Sequence, residues 1–171
     1  MNRETVKPTT TTSAPLTGLA YQAIVSGTSF SLGVRCDEQA IERIVFLAPC
    51  APQAPTNALA EEASRQLAAY LADAEYRCQL PLRAQGTPFQ RRVWQQIAAI
   101  PLHCTRTYGE IARELANAPR AVGQACGANP FPVIVPCHRV VATGGGLGGF
   151  ARQEGGFLLD VKRWLLAHES V

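Results

Sequence analysis

The pair that could do chemistry is Cys137 and His138, adjacent in Pro136-Cys137-His138-Arg139. A thiolate is the reactive form of cysteine, and an imidazole can take the thiol proton, so the two types together are the raw material of an activated nucleophile. Adjacency does not establish contact, because neighbouring side chains on an extended strand point to opposite faces. A buried structural thiol beside a surface histidine is the commoner meaning of such a dipeptide. The other cysteines, at 36, 50, 78, 104 and 126, form no C-x-x-C pair and no regular Cys/His spacing. They read as free buried thiols of a cytosolic chain, and no metal site or other cofactor is expected.

The elements that must position the pair follow from periodicity. Residues 1–18, rich in Thr, Pro and Ser, read as a disordered tail. Residues 21–25, 30–34 and 41–47 have β character and Gly or Pro breaks, which predicts a small antiparallel meander. Ala63, Leu67, Tyr70, Leu71 and Ala74 recur at helical spacing and predict a helix over 57–75 packed on that sheet. Residues 79–85, with Pro81 inside, read as an extended connector, and Gly86-Thr87-Pro88 opens the second half.

That half reads as mainly helical. Val93, Trp94, Ile97 and Ile100 mark one helix, closed by Pro101. Thr107 is a cap for a second over 108–116, and Asn117-Ala118-Pro119 is a tight turn into a third over 120–127. Two short helices joined this way form a helix-turn-helix pattern. Its second helix carries small residues, Ala121, Gly123, Ala125 and Gly127, which allow close approach to DNA but read few base edges. Residues 133–141 look like a buried strand broken by Pro136-Cys137-His138-Arg139. A Gly-rich loop and a final helix with Phe157, Val161, Trp164, Leu165 and His168 on one stripe complete the chain.

Composition limits the rest. The chain has 171 residues, of which 47% are apolar and 17% charged. That suits one ordinary domain or two small ones, and excludes a disordered, collagenous or coiled-coil protein. No apolar run approaches the ~20 residues of a membrane span, and residues 1–7 lead into no apolar stretch of a secretory signal, so the cytoplasm is expected. Residues 1–85 hold 7 Lys and Arg against 8 Asp and Glu; residues 86–171 hold 9 against 5, a net of +4, nearly all arginine. Arginine suits phosphate and base stacking, so this half could meet a nucleic acid, and a solvated basic surface reads the same way.

The wider context of the pair is more specific. The run Asn129-Pro130-Phe131-Pro132-Val133-Ile134-Val135-Pro136-Cys137-His138-Arg139-Val140 is preceded by Arg120-Ala121-Val122-Gly123 and followed by Leu165-Leu166-Ala167-His168-Glu169. With Phe89-Gln90, Val93-Trp94 and Thr107-Tyr108-Gly109-Glu110-Ile111-Ala112 in front, it resembles the O6-alkylguanine-DNA alkyltransferase family over residues 86–169, half of the molecule.

The resemblance implies an α+β fold. A ribonuclease-H-like α/β domain would span 19–85, and a mostly helical, winged-helix-like DNA-binding and active-site domain 86–171. It implies a suicidal repair protein that acts as a monomer on double-stranded alkylated DNA without a cofactor. Cys137 would be the acceptor of the alkyl group and His138 the base that works on it through a water. Glu169 would be the carboxylate behind that imidazole, and Asn129 the hinge tying the turn to the cysteine segment. A base inside a duplex must be flipped out to be reached. Arg120 would fill the vacated space, and Tyr108 would crowd the phosphate and bond the base. Ala121, Gly123 and Thr143 would lie against DNA. Val140, Phe150 and Ala151, with Tyr108, would line the base pocket, and the carbonyls of Cys137 and Val140 would accept from the guanine amino group.

Three features depart from the family pattern. The turn between Tyr108 and Arg120 is about two residues shorter. Phe150-Ala151 stands where a Tyr-Ser pair is common, so the hydroxyls are gone. Arg152-Gln153-Glu154 reads as an insertion in the active-site loop. Three other classes compete: a non-catalytic lesion sensor, which would lack the cysteine; a winged-helix regulator, which would need a more polar recognition helix; and a cysteine hydrolase, which would need an oxyanion-hole loop and a cleft.

Overall fold

A computed structural model describes residues 20–150 and 156–170. Three strands, β1 (Ala23–Ser26), β2 (Ser31–Cys36) and β3 (Ile41–Leu47), form an antiparallel sheet in that order. The Gly27 amide donates to the Phe30 carbonyl at 2.9 Å and closes the first hairpin. On β3 the register runs Cys36↔Ile41 and then Arg35↔Arg43, which leaves Glu42 as an extra residue. That bulge resets the side-chain alternation, so Ile41 and Ile44, three apart, both point into the core. The connector does more than link: Ile41 donates to the Pro81 carbonyl at 2.7 Å, and Arg83 donates to the Ile41 carbonyl at 2.8 Å. The Ile44 amide donates to Pro130 at 2.9 Å. Both halves of the chain therefore cover the outer edge of β3, which would otherwise offer unpaired amides.

Helix α1 (Ala58–Ala72) starts at Asn57, whose Oδ1 accepts from the Ala60 amide at 2.7 Å. It buries Ala60, Ala63, Leu67 and Tyr70 on one face, the spacing that lays a helix on a sheet. The helix stops at Ala72, short of the expected 75, because the Asp73 side chain accepts from the Glu75 amide at 2.9 Å and turns the backbone away.

The second half begins with α2 (Pro88–Ala98), opened by a capping box between Thr87 and Gln90. Its Trp94 donates from Nε1 to the Ala125 carbonyl at 2.8 Å. That bond pins α2 to α4 (Pro119–Gly127), which packs on α3 (Tyr108–Glu114). Thr107 and Glu110 form a second capping box on α3. The turn between α3 and α4 is held by the Asn117 amide on the Ala112 carbonyl at 2.9 Å, and Pro119 takes the first helical position.

Residues 133–141 do not form the expected strand. Pro132 and Pro136 carry no amide hydrogen, and the chain instead turns on itself, Val135 donating to the Phe131 carbonyl at 2.8 Å. A 3₁₀ turn covers Cys137–Arg139, and only β5 (Val140–Val141) pairs, in parallel, with β4 (Arg106–Thr107). Helix α5 (Phe157–His168) closes the fold with Val161, Lys162, Leu165 and Leu166 buried. One continuous apolar cluster runs from the sheet to α5. Among the described residues no helix is long and apolar enough to cross a membrane.

Candidate active site

The cysteine segment is set by Asn129. Its Nδ2 donates to the Val135 carbonyl at 2.8 Å, and its Oδ1 accepts from the Phe131 amide at 2.9 Å. The amide thus clamps a turn that contains Val133 at φ 74°, a left-handed conformation that a β-branched residue adopts only under such constraint. The chain leaves the clamp at Pro136 and enters the 3₁₀ turn with Cys137 and His138 both buried, the thiol residue 5% exposed and the imidazole not at all.

His138 meets Glu169, the residue that ends α5. Nε2 and Oε1 are 2.9 Å apart with both side chains fully buried. Because the carboxylate accepts, Nε2 carries the hydrogen and Nδ1 is the bare nitrogen. That Nδ1 is buried and has no partner among the described residues. Burial keeps the imidazole below its usual proton affinity, opposed by Glu169. Burial also raises the Cys137 thiol, with the Asn129 side chain and the Lys162 charge pulling the other way. Burial therefore favours the neutral form of both side chains.

Glu169 is held by more than the histidine. Arg139 donates from Nε to Oε2 at 2.8 Å and from a terminal nitrogen to Oε1 at 2.9 Å, and its other terminal nitrogen donates to the Ile100 carbonyl at 2.7 Å. Tyr70, from α1, donates to Oε1 at 2.8 Å. Burial works against the charge on Glu169, yet the hydrogen bonds from His138 and Arg139 outweigh it and keep the carboxyl well below the usual range.

Lys162 lies on the opposite side of the cysteine segment. Its Nζ is fully buried and donates to the carbonyls of Val140 at 2.7 Å and Leu147 at 2.5 Å. It also stands 5.7 Å from the ring centres of Tyr108 and Phe150. Burial pushes its pKa down to about 8, opposed by the two thiols at 137 and 126. The Tyr108 hydroxyl donates to the Gly149 carbonyl at 2.9 Å. Gly148, at φ 67°, passes so close to that ring that a Cβ would sit 2.8 Å from it. The Gly-rich loop, Tyr108 and Lys162 thus pack as one unit beside Cys137.

The remaining expected site residues divide clearly. Phe150 is buried, with its ring 5.6 Å from Phe46 of β3. The Val140 carbonyl accepts from Lys162, and the Cys137 carbonyl accepts from the Val140 amide, so each has a single lone pair left. Arg120 is exposed on the first turn of α4 and has no ion-pair partner among the described residues. Ala121 and Gly123 follow it half-buried on α4, and Thr143 is exposed where a 3₁₀ turn begins. Gly123 lies against the Tyr108 ring, whose nearest atom would be 3.9 Å from an added Cβ. Ala151 and Arg152-Gln153-Glu154 lie outside the described residues.

Three residues of the network escaped sequence reasoning. Tyr70 carried only a core-helix signal. Arg139 stands next to the pair, and its residue type alone assigns it no role. Lys162 had a usable signal: it is the one lysine of a half whose other cations are arginine, and it lies on the apolar face of the last helix.

The helix pair α3–α4 and the buried cysteine–histidine–carboxylate group together define a mixed α/β protein with a helix-turn-helix beside a buried thiol. The family model for the DNA-binding domain of 6-O-methylguanine DNA methyltransferase matches residues 88–171. The chain is 37% identical over 158 residues to a methylated-DNA–protein-cysteine methyltransferase of Methanosarcina mazei, covering 88% of this chain and 97% of that one. It is 47% identical over 111 residues to the protein of that name from Methanosarcina acetivorans, over 64% of this chain and 68% of that one. A crystal structure of Mycobacterium tuberculosis OGT in complex with DNA superimposes with a TM-score of 0.72 at 34% identity, covering 85% of this chain and 90% of the other. The chain belongs to the O6-methylguanine-DNA methyltransferase family.

Proposed function

We propose that this protein repairs DNA by moving the alkyl group of O6-alkylguanine onto Cys137. The observation that supports this reading is the buried His138–Glu169 hydrogen bond at the residue that follows the buried Cys137, with Nδ1 of the same imidazole unpartnered among the described residues. Nδ1, through a bridging water, takes the thiol proton, and Glu169 stabilises the imidazolium. The thiolate attacks the alkyl carbon in line. A carbon–sulfur bond forms as the carbon–oxygen bond breaks, the electron pair goes to O6, which becomes the carbonyl, and the base takes a proton at N1 as guanine. The product is a thioether, and no group beside it can cleave one, so each molecule acts once.

The thiol is buried, so the base must leave the duplex to reach it. Arg120 on the exposed first turn of α4 enters the stack, while Ala121 and Gly123 let the helix lie close and Thr143 meets the backbone. Tyr108, Val140, Phe150 and Ala151 line the pocket, and Asn129 holds the cysteine segment in register. The sheet and α1 are the ribonuclease-H-like part, residues 19–85, and residues 86–171 the winged-helix-like part. The protein works in the cytoplasm as a monomer, without cofactor. The test is the intact mass of the protein after incubation with an O6-methylguanine duplex, followed by peptide mapping. A permanent gain of one methyl in place of a proton, on the peptide holding Cys137, is expected. An unchanged mass, or a methyl on another cysteine, refutes the assignment.

A further inference from the structure

We propose that Tyr70, on α1 of the N-terminal half, is a positioning residue of the proton relay: its hydroxyl holds Glu169 Oε1 against His138 and sets how readily that imidazole takes a proton. The inference rests on the relay reading of His138 and Glu169 given above.

Oε1 is the crowded oxygen of Glu169. It accepts from Tyr70 at 2.8 Å, His138 at 2.9 Å and Arg139 at 2.9 Å, while among the described residues Oε2 accepts from Arg139 alone. Every donor shared by that oxygen spreads its charge and weakens its pull on His138. The Tyr70 hydroxyl is therefore both a clamp and a brake. It can serve as a fixed neutral donor because burial and the adjacent Glu169 charge push its ionisation far above the usual phenol range.

The packing alone does not call for a hydroxyl. Tyr70 is 3% exposed in the apolar face of α1, where a phenylalanine ring would fill the same space. Burying an O–H is costly without an acceptor, and the acceptor here is the carboxylate behind the reactive pair. The ring is itself locked: the Tyr70 carbonyl accepts from His168 Nε2 at 2.7 Å, and the His168 ring meets it edge-on at 5.4 Å while stacking on Trp164. The hydroxyl is thus placed by α1 and α5 together, and the N-terminal half supplies a group to the chemistry of the other half.

The charged and titratable groups around this point are few. Arg139 faces Glu169 from the 3₁₀ turn, and Lys162 acts on His138 from α5. Cys137 precedes His138, and Cys78 lies near Tyr70. From the loop after α2, His103 donates from Nδ1 to the Glu169 carbonyl at 2.6 Å, and its other nitrogen pairs with Glu75. None of these changes when only the Tyr70 hydroxyl is removed.

The test compares full-length wild type, Tyr70→Phe and Glu169→Gln. The first readout is the His138 Nε2–H proton resonance at pH 7, taken on the folded protein without DNA. The second is the pH profile of single-turnover methyl transfer from an O6-methylguanine duplex. In Tyr70→Phe the less-shared oxygen accepts more strongly, so the resonance moves downfield. The acid limb moves to higher pH, and at a fixed pH on that limb transfer slows about threefold, as half a pH unit implies. In Glu169→Gln the resonance moves upfield, and the rate falls at neutral pH and partly recovers toward pH 9. If Tyr70→Phe leaves both readouts at wild-type values while Glu169→Gln shifts them, Tyr70 is core packing and the proposal is wrong. If Glu169→Gln also superimposes on wild type, the relay itself is wrong and Tyr70 loses its role with it.

Discussion

The Nζ of Lys162 joins the Val140 carbonyl, one residue past the reactive turn, to the Leu147 carbonyl in the Gly-rich loop. A single buried cation on α5 thereby fixes the two backbone segments on either side of the Tyr108 ring. Gly144 and Gly145 have no heavy atom within 4 Å of where a Cβ would lie, so the loop is held at its ends, by the Ala142 amide on the Gly146 carbonyl at 2.8 Å and by the Tyr108 hydroxyl on Gly149.

Lys162→Met should therefore leave those carbonyls without their donor and lower stability at pH 7 by about 1–3 kcal/mol. It should also change how stability varies with pH. The folded lysine releases its proton near 8, and the unfolded one holds it to ~10.4. Between those values the unfolded chain binds more protons, so this group makes stability rise with pH. The buried thiols act in the opposite sense, and more strongly once the Lys162 charge that pulls them down is gone, so the two stability curves diverge through this window. Urea midpoints from pH 7 to 10 measure it, and parallel curves would show that Lys162 does not titrate in that window.

Acid should unfold the wild type through the same network. Burial holds the folded His138 below its ordinary proton affinity, and hydrogen bonds hold Glu169 below the carboxylate range. Both depressed values mean stability present at neutral pH and lost as pH falls, through the histidine below ~6.5 and the carboxylate below ~4.3. Glu169→Gln should start less stable at pH 7 and show a shallower loss below pH 5. An equally steep acid limb by urea titration would exclude Glu169 as the main acid-sensitive group.

Cys137→Ser should abolish transfer while DNA affinity stays within a few-fold. Serine cannot replace thiolate nucleophilicity, whereas the Arg120 proposed to meet DNA is exposed on the first turn of α4 and Cys137 is buried. Gel shifts with an O6-methylguanine duplex and intact mass check the two halves of the expectation. A large loss of binding would mean that Cys137 shapes the interface rather than the chemistry.

Arg120→Ala should slow repair of a duplex far more than reaction with free O6-benzylguanine. The role proposed for Arg120, which is exposed on the first turn of α4, is in base flipping, a cost of a few kcal/mol that a free base never incurs. Single-turnover rates on both substrates decide it. Equal losses would assign Arg120 to the stability of α4.

Local chemistry determined much of this protein from its residues alone. Thr87 and Thr107 open helices because their side chains satisfy free amides three residues on, and Pro119 starts α4 because its fixed φ and missing hydrogen suit that position. The alternation in 21–47 and the helical spacing of Leu67 and Tyr70 required a sheet with a helix on it. The adjacency of Cys137 and His138 was visible, and resemblance pointed to Asn129 and Glu169. Tertiary structure decided what adjacency could not. Residues 133–141 carry β-branched side chains, yet prolines strip the amides a strand needs, and Asn129 supplies a turn instead. The bulge at Glu42 and the partners of Glu169 were likewise beyond reach, because they depend on residues far apart in the chain: Tyr70 and Glu169 are separated by 99 positions. Sequence periodicity reports which face of an element is apolar. It does not report which buried hydroxyl, guanidinium or ammonium on that face will find a charge, since that depends on how the elements pack.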